Sequence, residues 1–341
     1  MIYPLNINEK FVNGKNILIT GGTGSFGNHM VKTLLQFKPN KIIIFSRDEF
    51  KQYMMQKIYN PKEYKCLRYF IGDIRDYDRL NSAFREVDII FHSAALKQVP
   101  AMEYNPSEAI KTNIYGAENI IKAAINNNVQ KVIAISTDKA VSPVNLYGAT
   151  KMCFEKLFLA ANNIVGDRDI RFSVMRYGNV FGSRGSVVPL FLKQSKNNEF
   201  TITDKRMTRF TITLEDAINF VLNCSNKMIG GEIFIPKLPS YNILKLTQVI
   251  NKNANVKYIG IRPGEKLHEC MIGENEAYKT LNCNNYYIVL ANTYFDKYIK
   301  NYRDDYISVR KDGKDYNSLE NEIIDDYILE KLVLEYKNKY I

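Results

Sequence analysis

Residues 136–151, STDKAVSPVNLYGATK, put an acid, an amine and a phenol within ten positions: Asp138, Lys139 and Tyr147, with Lys151 four residues beyond. Tyr147 and Lys151 are one helical turn apart, so their side chains share a face. A free phenol ionises at a pH of about 10, too high to take a proton readily at neutrality, and the Lys151 ammonium is expected to lower that value. Thr137, just before the pair, can hydrogen-bond the same substrate hydroxyl. Oxidation of an alcohol needs no more than these three residues, which leaves Asp138 and Lys139 surplus. They supply an acid and a base for chemistry at a neighbouring carbon, provided that burial and cationic neighbours lower the lysine and an apolar site raises the aspartate. A structural ion pair within a loop is the plainer alternative.

Such groups need a scaffold that brings them to one edge. Short β-branched runs recur along the first half: KNILIT (15–20), KIIIF (41–45), CLRYFIG (66–72), VDIIFHSA (87–94), KVIAIS (131–136) and RFSVMRY (171–177). Between them, residues 26–37, 107–126 and 146–163 carry apolar residues at helical spacing, and Pro106 suits a helix start. This alternation implies βαβ units, and runs apolar at successive positions imply strands covered on both faces. The expected fold is α/β, a doubly wound parallel sheet of the Rossmann type with a smaller C-terminal lobe. Residues 1–178 form the dinucleotide-binding domain, with a return of the chain at about 210–237. Residues 179–341 form mainly the substrate-binding lobe and a tail, in which NEIIDDYILEKLVLEY reads as a terminal helix without chemistry.

Ligands of such sheets bind at the carboxyl ends of the strands. After the first run, TGGTGSFG places Gly21, Gly24 and Gly27 at G-x-x-G-x-x-G spacing, with Thr23, Ser25 and Phe26 among them, directly before a helix. Glycine permits the turn and lets backbone amides approach a pyrophosphate at the helix N-terminus. Taken alone, such a loop is equally a tight βα turn. After the second run comes FSRDEFK, where a NAD site usually offers an acid to the ribose. Ser46, Arg47 and Lys51 instead suit a 2′-phosphate, and Asp48 is left to cap the next helix or to meet adenine. NADP is therefore expected over NAD. GDIRD puts Asp73 and Ile74 where an adenine is bracketed, and HSAALKQVP puts Ala94, Ala95 and Lys97 beside the nicotinamide ribose.

Composition narrows the partners. The chain has 341 residues, 45% hydrophobic and 24% charged, enough for two packed lobes. Its formal charge of +11 comes from lysines dispersed among acids and asparagines, which argues against nucleic acid and for an anionic small molecule. Five cysteines without a C-x-x-C pair suggest neither disulfides nor a thiolate metal site, and no metal is expected. No run approaches the roughly 18 apolar residues of a membrane span, and the first residues lack the order of a signal peptide. A soluble, cytoplasmic protein is expected.

The Y-x-x-x-K element behind a glycine fingerprint resembles the extended short-chain dehydrogenase/reductase family over roughly residues 15–270. Within it, STDKAVSPVNLYGATK, RYGNVFGSRGSVVP, ITDKRMTRF and GIRPGEKLHE look like the inverting UDP-N-acetylglucosamine 4,6-dehydratases, whereas retaining relatives more usually pair the aspartate with glutamate. The resemblance implies that Tyr147 deprotonates O4 as C4 gives hydride to NADP, that Lys139 takes the C5 proton, and that Asp138 assists departure of the C6 hydroxyl. Hydride return to C6 and protonation of C5 from the opposite face would give UDP-2-acetamido-2,6-dideoxy-β-L-arabino-hexos-4-ulose. NADP, regenerated at each turnover, would stay tightly bound. Asn179 and Val180 resemble residues lying between sugar and nicotinamide. Val187, Arg209, Arg262 and Glu265 fall on nucleotide-binding segments, with Lys97 also at the substrate. Arg262 has its own rationale as a diphosphate clamp, against the alternative of a surface salt bridge. Relatives form dimers and hexamers, so a homo-oligomer is expected. The alternatives are a UDP-HexNAc 4-epimerase, a retaining 4,6-dehydratase, and a non-catalytic nucleotide-sensing protein, which would need no proton-transfer groups.

Overall fold

A computed structural model describes residues 2–183, 185–291 and 295–340. Six strands in the first half, β1 (Asn16–Thr20), β2 (Lys41–Ser46), β3 (Leu67–Ile71), β4 (Ile89–His92), β5 (Lys131–Thr137) and β6 (Arg171–Tyr177), pair in parallel in the order β3-β2-β1-β4-β5-β6. β1 and β2 are buried almost end to end, as their uninterrupted apolar runs require of strands covered on both faces. The strand order reverses between β1 and β4, which makes the carboxyl ends of these two strands the topological switch point. Register puts Thr20 level with Phe45 and His92, and Thr137 level with Tyr177.

The sheet continues past β6. Glu232–Pro236 adds in parallel, preceded by the largely buried helix Leu214–Lys227. Three further strands, Tyr286–Leu290, Thr280–Cys283 and Tyr306–Val309, then extend the same sheet in antiparallel fashion. Residues 179–341 are expected mainly in a second lobe, yet these three strands pair onto the main sheet and close one of its edges. The N-terminal segment also belongs to this body, since the amides of Ile2 and Tyr3 donate to Asp216 Oδ1 at 2.7 and 2.8 Å.

The smaller lobe holds a three-stranded sheet of Asn179–Val180, Thr208–Ile212 and Ser240–Asn242, and a parallel pair of Glu199–Ile202 with Asn255–Tyr258. Its core gathers Phe191, Phe200, Met207 and Leu246 with Leu329 and Val333 of the terminal helix Asp326–Tyr340, so the tail is a structural part of this lobe. No helix among the described residues is long and apolar enough to cross a membrane.

Candidate active site

The glycine turn follows β1 at the switch point. Gly21 has φ +67°, and a Cβ there would press on the backbone of Ala94 at 3.0 Å, so the turn requires glycine. Gly24 is the N-cap of the helix Ser25–Leu34, which carries no side-chain cap, leaving its first amides available to an anion. Thr23 and Gly27 are buried beneath the turn, and Phe26 leans on the main core. The chain thus fits a dinucleotide pyrophosphate at this point.

Beyond β2, Asp48 caps the helix Glu49–Ile58 by accepting from the Lys51 amide at 2.9 Å, and its other oxygen holds Lys51 Nζ at 2.8 Å. This settles Asp48 as the cap. Ser46 Oγ accepts from Gln52. Arg47 reaches Asp73 at 3.5 Å, and Arg75, not foreseen from sequence, grips both Asp73 at 2.8 Å and Glu108 at 2.6 Å. Although Asp73 is partly withdrawn from water, hydrogen bonds from Arg75 and the charges of both arginines hold its carboxyl below the usual range. Arg47, Arg75, Ala95 and Lys97 line one cavity of about 500 Å³, while Ile74 is buried behind it. Asn113 fixes the far wall: its amide spans both backbone groups of Leu96 at 2.9 Å and donates to Thr150 Oγ1 on the helix Leu146–Ala161. It lies in a π-helical turn, Lys111–Tyr115, a wide turn often found at functional sites, inside what the sequence pattern presents as one regular helix.

The helix Leu146–Ala161, which carries Tyr147 and Lys151, starts at Asn145, whose side chain accepts from the Gly148 amide at 2.8 Å. A Cβ at Gly148 would collide with the Lys139 carbonyl, so this glycine lets the helix carrying Tyr147 close onto the short turn Asp138–Ala140. Lys139 Nζ lies 3.0 Å from Asp138 Oδ1, 3.1 Å from Asn179 Oδ1 and 3.4 Å from Glu269 Oε1. Thr137 donates to the same Asp138 oxygen at 2.9 Å. Asp138 is wholly buried, and its second oxygen has no partner among the described residues. Burial, reinforced by the Glu269 charge, raises the Asp138 carboxyl in spite of Lys139.

Two electrostatic expectations are reversed. Burial alone would depress Lys139, but the carboxylates of Asp138 and Glu269 outweigh it and push the amine up, so Lys139 rests as ammonium. Nor is Lys151 the cation beside the phenol. Its Nζ donates to the Ile135 carbonyl at 2.7 Å and lies 3.2 Å over the Phe154 ring, and burial drives its amine down to about 7 against the opposing charge of Glu155. Tyr147 is raised by burial, and the groups pulling it back are the Lys139 charge and a hydrogen bond with Thr137.

The second lobe reaches directly over this loop. Asn145 Nδ2 donates to the Gly264 carbonyl at 2.7 Å, and Lys266 Nζ donates to the Val141 carbonyl. Arg209, buried on its strand, donates to the Leu267 and Lys266 carbonyls and faces Glu269 at 3.6 Å and Glu265 at 3.8 Å. The structure thus brings Thr137, Asp138, Lys139, Tyr147, Asn179 and Arg209 to one place. Glu269 completes the cluster; it ends the quoted GIRPGEKLHE run, yet its role depends on a contact 130 positions back along the chain. Val180 pairs with Ile212 beside it, and Val187 opens the helix Val187–Ser195. Arg262 does not join the cluster among the described contacts: it is exposed and paired with Glu265 at 3.2 Å. No group of His, Cys, Asp and Glu able to hold a metal occurs among the described residues.

A doubly wound sheet with a glycine turn at its switch point and a tyrosine–lysine helix after β5 defines an extended short-chain dehydrogenase/reductase fold. The chain belongs to the family described as polysaccharide biosynthesis protein, whose model matches residues 17–291. An inverting UDP-N-acetylglucosamine 4,6-dehydratase of Campylobacter jejuni is 59% identical over 280 residues, 81% of this chain and 83% of its own. A UDP-glucose 4-epimerase of Rickettsia bellii is 46% identical over 287 residues, 80% and 82% of the two chains. Among solved structures, Pen from Bacillus thuringiensis is similar at a TM-score of 0.86 and 38% identity, covering 95% of this chain and 99% of that one.

Proposed function

We propose that the chain is an inverting UDP-N-acetylglucosamine 4,6-dehydratase working with tightly bound NADP. The observation that carries this reading is the pair Asp138–Lys139, the acid buried and the amine partly so, 3.0 Å apart in the cluster adjoining Tyr147, where an alcohol oxidation alone needs neither. When bound, the dinucleotide supplies a reversible hydride acceptor that removes H4 and returns it to C6. Tyr147 takes the O4 proton, with Thr137 and the Lys139 charge favouring phenolate. A C4 ketone acidifies C5, whose proton passes to Lys139 after that residue has given its own to the Asp138 carboxylate 3.0 Å away. Asp138, whose carboxyl burial raises, then delivers that proton to the departing C6 hydroxyl. Protonation of C5 from the opposite face then completes a net loss of one water with inversion. Arg47, held only by a 3.5 Å contact to Asp73 among the described residues, supports NADP over NAD, since its guanidinium fork suits a 2′-phosphate.

The similarity to a 4-epimerase favours a second reading, in which the C4 ketone is simply reduced from the other face. Incubation with UDP-N-acetylglucosamine in D₂O separates the two by NMR. The dehydratase gives a 4-keto-6-deoxy L-sugar with deuterium at C5. A C4 epimer that keeps its C6 hydroxyl and its C5 proton overturns the reading.

A further inference from the structure

We propose that Glu269 is a positioning residue for the elimination, holding the Lys139 amine between Asp138 and Asn179 and setting the order in which that pair gains and loses protons. The inference rests on the dehydratase reading and assigns a role to a residue outside the Asp–Lys–Tyr set. Glu269 is 3% exposed, and one of its oxygens makes two charged contacts, to Lys139 at 3.4 Å and Arg209 at 3.6 Å. Its other oxygen is buried without a partner among the described residues, as is Asp138 Oδ2. Two unsatisfied buried carboxylate oxygens flanking one ammonium are expensive, and a cluster built only for stability would pair them. Their retention makes sense where protons must be redistributed within the cluster.

The surroundings define the direction of the effect. Lys139 is faced by Asp138 on its own turn, Tyr147 on the helix Leu146–Ala161, Lys97 after β4, and Arg209 and Tyr241 on the second lobe's strands. The charge of Lys139, joined by those of Arg209 and Lys266, holds the Glu269 carboxyl below its ordinary value in spite of burial. An ionised Glu269 favours the Lys139 ammonium and, as a like charge, opposes ionisation of Asp138. Lys139 must be neutral to take the C5 proton and Asp138 must be protonated to release water. Glu269 therefore places both limbs of the elimination's pH profile at higher pH than the pair would reach alone.

The test is Glu269→Gln in the NADP-loaded enzyme, followed with UDP-N-acetylglucosamine in D₂O from about pH 5 to about 11, wide enough to reach the limb set by Lys139. C4 oxidation is read as the first-turnover absorbance of the reduced dinucleotide, and elimination as the NMR signal of the 6-deoxy product. In E269Q both limbs of the elimination profile should move to lower pH by about one unit, while the oxidation amplitude persists. Glu269→Asp, which keeps the charge, should retain the wild-type optimum at a reduced rate. A lower rate at an unchanged optimum in E269Q, or an optimum displaced as far in E269D, overturns the role. The wild-type product tests the dehydratase reading separately: if it contains no 6-deoxy sugar, that reading falls and the role of Glu269 in elimination falls with it, whatever the variants do.

Discussion

Replacing Lys139 by methionine separates the two halves of the proposed chemistry. The substitution keeps the aliphatic stem and removes an ammonium with three partners, Asp138 at 3.0 Å, Asn179 at 3.1 Å and Glu269 at 3.4 Å. Breaking a buried pair from one side costs about 3–5 kcal/mol when the remaining charge is stranded. Here neither carboxylate is fully stranded, because Glu269 keeps Arg209 at 3.6 Å and Asp138 keeps the Thr137 hydroxyl and can escape by taking a proton. The expected loss is therefore smaller, about 1–3 kcal/mol. It should shrink as pH falls: Asp138 already sits above its unfolded value, and without Lys139 its ionised form is costlier still, so the penalty applies above its folded pKa. The kinetic effect is larger. Loss of a positioned base slows its step by about 10²–10⁴, equivalent to about 2.7–5.5 kcal/mol of barrier. Denaturation at several pH values gives the first quantity, and NMR of UDP-N-acetylglucosamine turnover in D₂O gives the second. Elimination in K139M at a near wild-type rate would refute the assignment of Lys139 to C5, and a pH-independent stability loss would refute the account of Asp138.

Three other perturbations probe the frame around this cluster. Arg176 is 1% exposed and binds Glu155 and Glu276 with two nitrogens each, between 2.6 and 2.9 Å, so Arg176→Leu should cost about 3–5 kcal/mol in a denaturant titration; a loss below about 1 kcal/mol would show that the two glutamates find other partners. Burial lowers the Lys151 amine to about 7, so folding expels a proton between about pH 7 and 10, and wild-type stability gains up to about 1.4 kcal/mol per pH unit there from this group. Lys151→Met should flatten that slope and compare best with wild type below pH 7, and an unchanged slope in denaturation across pH would count against it. Arg47→Ala should reduce the preference for NADP over NAD on the order of tenfold or more in a fluorescence titration, with unaltered NADP binding as the refuting result.

What a reader of the sequence could see follows from how local each signal is. The six parallel strands are legible because each is a short β-branched run between amphipathic stretches, and the glycine turn because its constraint, a positive φ at Gly21, acts within a few residues. The pairing of Tyr147 with Lys151 is only half legible. Spacing puts both on one face, but the nearest acceptor for a buried amine is the Ile135 carbonyl on β5, and no spacing rule contains that strand. The raised amine of Lys139 is likewise half legible: its larger cause, Asp138, is the adjacent residue, while Glu269, which adds to it, arrives from the far lobe. The antiparallel edge formed by Thr280–Cys283, Tyr286–Leu290 and Tyr306–Val309 is not legible, although YYIVL (286–290) is a clear strand run, because the regular alternation that identifies the earlier strands has ended by then.

The docking of residues 264–269 onto the loop after β5 has a bearing on how the protein matures during synthesis. Six parallel strands and the glycine turn are all translated by Tyr177. The groups that lock Asn145, Val141 and Lys139 in place come later, from Gly264, Lys266 and Glu269. A nascent chain folding from its N-terminus completes the nucleotide-binding strands before its proton-transfer cluster has all its charges. The cluster around Lys139 is thus complete only once residues 264–269 have been threaded back over the strands made before them.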